Sequence, residues 1–297
     1  MSDTKNVPFL EVRDLRVSFP TDTGLVEVVH GIDLQVENGE RVALVGESGS
    51  GKSVTARSIL QLDAGAPITG SILLGGRELV GASAKILREI RRSSVGLVFQ
   101  DPLTSLNPVM RIGWQVMQPL LIHGVSKREA RKRGIELLAH LGVTDATKRF
   151  DDYPHQFSGG MRQRVVIAIA IIGEPDLLIA DEPTTALDVS VQAQVLELMS
   201  RVADERGMSV LLITHDLGIV AGFADRVAVM RKGEIVEHAD VNTLFDSPKH
   251  PYTRGLLGAI PRLDADPAIR LVSVDDISPS CETDDVEAAS TSKGSRS

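Results

Sequence analysis

The sequence predicts an α/β fold in which a parallel sheet is covered by helices on both faces, preceded by an antiparallel sheet and split by a helical insert. Three observations predict it. Short apolar runs bounded by turn residues recur along the chain and alternate with helical stretches. Residues 9–19 and 26–36 instead alternate apolar with polar side chains, as half-buried strands do. Between about residues 101 and 173 the character is helical throughout.

Each element follows in order. Residues 9–19 and 26–36 read as two strands, closed by the turn Glu37-Asn38-Gly39-Glu40. Arg41–Val45 is a short apolar run ending at a glycine, the pattern of a central strand. A helix is expected over 51–62, strand character at 71–74 and a buried strand at 95–99. The insert carries helices at 112–122, 127–141 and 161–172. Apolar strands return at 177–180, 210–214 and 227–230, separated by helices at 189–206 and 217–224. From about residue 263 the chain turns acidic and then Ser/Thr-rich, so 1–262 is expected as the folded domain and 263–297 as a poorly ordered tail.

Composition excludes several roles. The net charge of −8 supplies no general field for nucleic acid. The basic run from Lys127 to Arg133 reads as a solvated helix face. Cys281 is the only cysteine, so no internal disulfide forms. The first residues lack the basic segment and apolar core of a secretory signal, and no apolar run spans a bilayer.

Three segments carry chemistry. Gly46-Glu47-Ser48-Gly49-Ser50-Gly51-Lys52-Ser53 fits the phosphate-binding loop pattern in full, with a strand before it and a helix after it. Its glycines let successive N–H groups curl toward phosphates, Lys52 reaches the β- and γ-phosphates, and the Ser53 hydroxyl suits a Mg²⁺ position. Asp181 and Glu182 end a buried strand; alone they read equally well as solvated acids. Coupled to the loop, Asp181 suits a metal-linked role and Glu182 a general base. Ser158-Gly159-Gly160, before an apolar helix, reads by itself as a helix cap. It is also a second anion site, best used by a facing subunit.

These segments together resemble the ATP-binding subunits of ABC transporters. Ser158-Gly159-Gly160-Met161-Arg162-Gln163 is similar to the family's signature motif, in the family's order between the phosphate loop and Asp181-Glu182. Gln100 looks like the Q-loop glutamine, Ala186-Leu187-Asp188 like the D-loop and His215 like the switch histidine. Phe19 sits where the family stacks a ring on adenine. The resemblance implies a RecA-like core and an ATPase using ATP and Mg²⁺, with Ser53, Gln100 and Asp181 toward the metal. It implies Glu182 and His215 as catalytic residues, and Val54 as a backbone contact to phosphate where many relatives carry Thr. Ser158, Gly159, Gly160, Met161 and Asp188 would meet the nucleotide of a partner site.

The stretches from Gln100 to Pro108 and from His250 to Leu257 look like those of oligopeptide, dipeptide and nickel permease ATPases, and the loop and signature resemble the D-type subunit. That implies an F-type ATPase partner in a heterodimer, two membrane permease subunits and an extracytoplasmic substrate-binding protein, at the cytoplasmic face of the membrane. Peptide is the expected cargo; nickel or another small solute, or a non-transport ABC ATPase, are the alternatives. Many D-type members hold an iron–sulfur cluster through several C-terminal cysteines; with Cys281 alone, no cluster is expected.

Overall fold

Alternating side chains build the first sheet. In the computed structural model, which describes residues 8–259 apart from Ala64 and Ala186, strand β1 (Leu10–Thr21) pairs antiparallel with β2 (Gly24–Val36). Leu10, Val12, Leu15 and Val17 of β1 are all buried. Strict alternation would put Leu15 on the opposite face from Val12. A bulge at Asp14 (φ +43°) absorbs the extra residue and returns Leu15 to the core side. The loop and helix that follow are framed by β3 (Arg41–Val45) and α1 (Lys52–Ile59). β4 (Ile68–Leu74) then adds to the other edge of β1, and β5 (Arg77–Glu78) to β4, giving the order β2-β1-β4-β5.

Next come α2 (Ala84–Ser93) and β6 (Val95–Val98), the point at which the chain leaves the core. The helical insert comprises α3 (Pro102–Ser105), α4 (Ile112–Ile122), α5 (Lys127–His140), α6 (Ala146–Arg149) and α7 (Gly159–Ile171). The Phe150 ring is its keystone. It lies so close to Gly113 of α4 and Gly134 of α5 that a β-carbon at either would meet it, at 2.0 and 3.0 Å.

The chain then returns through β7 (Leu177–Asp181), α8 (Val189–Arg206), β8 (Ser209–Thr214), α9 (Leu217–Val220), β9 (Arg226–Arg231), β10 (Glu234–Asp240) and α10 (Val241–Asp246). The second sheet has the order β10-β9-β3-β8-β7-β6, parallel except for β10. Every residue of β7 and β8 is buried, as expected of strands covered on both faces. The expected α/β architecture is therefore present, with differences at the margins. The antiparallel edge β10 and helix α2 were not anticipated. The helix expected over 217–224 shortens to Leu217–Val220, in a stretch where Gly218 and Gly222 weaken helical continuation.

The described residues divide into two compact units after Ser247. The second contains α11 (Pro251–Gly258), whose start is capped by His250 Nδ1 accepting the Tyr252 N–H at 3.1 Å. The acidic stretch from 263 and Cys281 lie outside the described residues. Among those described, no helix is long and apolar enough to cross a membrane.

Candidate functional site

The loop between β3 and α1 is shaped by what packs behind it. A β-carbon on Gly46 would fall 2.1 Å from the Met230 carbonyl oxygen of β9, so only glycine lets the chain turn there. Gly51, the residue before α1, has φ +106°, a conformation side chains rarely adopt. A turn of the neighbouring hairpin closes on the loop: the Gly233 N–H donates to the Ser50 carbonyl at 2.9 Å, and the Gly233 carbonyl accepts from the His30 N–H of β2 at 2.9 Å. The Ser50 hydroxyl is buried with no partner of its own. Lys52 is 4% exposed, and its ammonium donates to the carbonyls of Gly46 (2.8 Å) and Glu47 (2.7 Å). Burial pushes the Lys52 pKa down, opposed by Glu182, Asp181 and Glu47. Glu47, Ser48 and Gly49 are exposed along the loop, and Val54, one turn into α1, packs on the core.

Two carboxylates stand beside the loop at the end of β7. Asp181 is 6% exposed and accepts the Ser53 hydroxyl at 2.8 Å. Burial raises its pKa, and the Ser53 hydrogen bond works against that rise. Glu182 takes a left-handed conformation (φ +47°), pinned by its N–H donating to Ile213 of β8 at 2.8 Å. Three side chains surround its carboxylate: Gln100 Nε2 donates to Oε2 at 3.0 Å, the Thr185 hydroxyl donates to the same oxygen at 2.9 Å, and His215 Nδ1 lies 3.2 Å from Oε1. The structure thus brings Lys52, Ser53, Gln100, Asp181, Glu182 and His215 together. Sequence reasoning missed Thr185; the signal was a hydroxyl three residues after an acid in a turn, close enough to reach back.

Phe19 stands opposite Val26 on β2, two residues from Val28, whose carbonyl lies against Gly51. The ring is half-buried, with one side on the core. A second cluster forms where α7 meets α8. The Ser158 hydroxyl caps α7, accepting the Met161 N–H at 3.4 Å, and Ser158 and Gly159 are exposed. Gly159 faces Leu187, and a β-carbon on Gly160 would fall 2.5 Å from Val191 Cγ1. Asp188 caps α8, accepting the Ser190 hydroxyl (2.7 Å) and the Val191 N–H (3.0 Å), which hold its carboxyl below the usual range. Helix α1 packs on β1, β2, β7 and β8, whereas α7 packs on α3, α4, α5, α8 and β6.

The residues at the loop fit a nucleotide triphosphate. They supply a glycine cradle, a buried ammonium, and a hydroxyl beside a buried carboxylate. They also fit Mg²⁺, which needs few protein ligands because substrate phosphates and water complete its shell. A loop of this kind between strand and helix, with paired acids ending a strand of the same sheet, defines a P-loop nucleotide hydrolase.

Comparison with known proteins narrows the class. Residues 29–185 match the ABC transporter family model, and residues 236–286 match that of the oligopeptide/dipeptide transporter C-terminal region. The chain is 49% identical over 269 residues to the dipeptide transport ATP-binding protein DppD of Lactococcus lactis, covering 89% of this chain and 77% of that one. It is 50% identical over 260 residues to the oligopeptide transport ATP-binding protein OppD of Bacillus subtilis, covering 86% and 73%. Among solved structures, the ATP-binding cassette MJ0796, a dimer in a post-hydrolysis state bound to ADP and Pi, superposes with a TM-score of 0.71 at 28% identity, covering 78% of this chain and 98% of that one. The chain belongs to the ABC transporter family, as an ATP-binding, ATP-hydrolysing subunit of its oligopeptide/dipeptide branch.

Proposed function

We propose that this ATPase drives a peptide importer from the cytoplasmic face of the membrane, paired with an F-type ATPase and working with two membrane permeases and an extracytoplasmic binding protein. The names of its relatives and the C-terminal family match support peptide as cargo. Residues 1–262 form the nucleotide-binding domain in this reading, and 263–297 an appended tail. The observation that carries the chemistry is the placement of Glu182, held by three side chains beside the Ser53–Asp181 pair.

In this mechanism Phe19 stacks on the base, and N–H groups from Gly46 through Val54 surround the phosphates. Ser53, Asp181 and Gln100 would hold Mg²⁺, which when bound neutralises charge on phosphate oxygens. Gln100 can serve both sides of the site, because its amide nitrogen bonds Glu182 and leaves its oxygen available. Glu182 accepts a proton from the water that attacks the γ-phosphorus, and the bond to the β,γ-bridging oxygen breaks to release ADP. Lys52 and His215 stabilise the charge that develops. The α7 start, with Ser158, Gly159, Gly160 and Met161, and Asp188 beside it, contact the partner's nucleotide. The dimeric form of MJ0796 supports that arrangement.

The test is Glu182→Gln in the complex with its partner ATPase. Nucleotide binding should persist while phosphate release falls roughly 10²–10⁴-fold. Turnover within a few-fold of wild type would remove Glu182 as the base. Cargo is tested separately, by uptake of a labelled dipeptide against labelled nickel in cells lacking the chain; restoration of nickel uptake alone would overturn peptide.

A further inference from the structure

The carboxylate of Glu182 has two oxygens, and they are not equivalent here. A carboxylate oxygen offers about two acceptor positions. Oε2 already receives two donors, Gln100 Nε2 at 3.0 Å and the Thr185 hydroxyl at 2.9 Å, so it is filled. Oε1 faces one group, His215 Nδ1 at 3.2 Å, and keeps a free lone pair. The direction of the oxygen that keeps a free lone pair depends on rotation of the terminal carboxylate torsion, which is soft by itself.

We propose that Thr185 is a positioning residue for hydrolysis: its hydroxyl fixes that rotation and so assigns Oε1 as the oxygen that takes the proton from water. This rests on Glu182 being the base. Thr185 suits the task because it belongs to the turn that carries Glu182. Its N–H donates to the Glu182 carbonyl at 3.4 Å, and Pro183, with its fixed φ, lies between them. The Glu182 backbone is in turn pinned to β8. Backbone and side chain of the acid are thereby held from the same few residues. Gln100, by contrast, sits just beyond β6 at the junction with the helical insert, so its hold on Oε2 depends on where the insert stands. Thr185 keeps the carboxylate oriented independently of that junction.

The experiment compares Thr185→Val, which keeps the shape and deletes the donor, with Thr185→Ser, which keeps the donor. Both are made in the full complex, alone and combined with Glu182→Gln. Thr185→Val should lower kcat roughly 10- to 100-fold, the size of one hydrogen bond to a charged group. KM, the Kd for a fluorescent ATP analogue and the unfolding midpoint should stay at wild-type values. Thr185→Ser should recover kcat to within a few-fold, and Thr185→Val should slow Glu182→Gln no further. The inference fails if Thr185→Val turns over normally, if Ser is as slow as Val, or if Kd rises in step with the loss of kcat. An inactive Glu182→Gln beside an unimpaired Thr185→Val would remove this inference alone. An active Glu182→Gln would remove the base assignment and this inference with it.

Discussion

Replacing Gly46 by alanine tests how tightly the phosphate loop is built against the sheet. The added methyl would sit 2.1 Å from the Met230 carbonyl oxygen, 2.9 Å from the Ser50 hydroxyl and 3.1 Å from the Met230 carbonyl carbon. The first of these is more than about 1 Å short of ordinary van der Waals contact. The obstruction is backbone, so no rotamer change relieves it. Nor can the strands simply part, because β3 and β9 pair in register at Val45↔Val229. Overpacking of this kind costs about 1–3 kcal/mol. If the strands move, the cost appears in the fold and lowers Tm by roughly 2–12 °C at about 2–4 °C per kcal/mol. If the loop moves instead, it appears in nucleotide affinity, and Kd rises roughly 5- to 150-fold. Thermal unfolding and titration with a fluorescent ATP analogue, run on the same preparation, capture both. A variant that melts within 1 °C of wild type and binds within about twofold would refute the steric argument, whichever route had been taken.

Two further predictions use other parts of the molecule. Phe19→Ala should weaken ATP binding roughly 5- to 150-fold, the range of one base–aromatic stack, while leaving kcat at saturation within a few-fold; unchanged affinity would show that the half-buried ring serves packing alone. The carboxylate of Glu78 accepts the Ser71 hydroxyl and the N–H groups of Ile72 (2.9 Å), Leu79 (3.0 Å) and Val80 (2.9 Å). Burial pushes its pKa up, but these hydrogen bonds outweigh burial and the net direction is down. A folded pKa below the unfolded value of about 4.3 stabilises the fold above that pH, and the benefit is lost as pH falls through the folded value. Glu78→Gln should therefore lower the urea midpoint at pH 7, with the gap to wild type narrowing below about pH 4; an equal gap at both would exclude the ionised carboxylate as its cause.

What could be read in advance followed from how each segment meets solvent. Strands β3, β7 and β8 are buried along nearly their whole length, so their side chains form continuous apolar runs that stand out against any neighbour. β10 is an exposed edge with Glu234, Glu237, His238 and Asp240 among seven residues, too polar for alternation to register. In α2 only Ile90 is buried, and its many charges mask an amphipathic helix. The phosphate loop was legible because its chemistry lies in a fixed spacing of residue types. Thr185 and Gly233 were not, since what they do depends on a hydroxyl folding back within a turn and on a peptide group of a distant hairpin. The start of α7 was recognisable as a cap, but its seating on Leu187 and Val191 depends on contacts between elements far apart in the chain.

The turn at Gly233 has a consequence for altering this protein. One peptide neighbourhood bonds Ser50 on one side and His30 on the other, so β2, which pairs with the strand carrying Phe19, and the loop between β3 and α1 bear on a common pivot. A substitution that shifts β2 at His30 would tilt that pivot and move the loop between β3 and α1 with it. Leu25 and Val26, exposed near the other end of β2, can be varied while leaving the shared hinge alone.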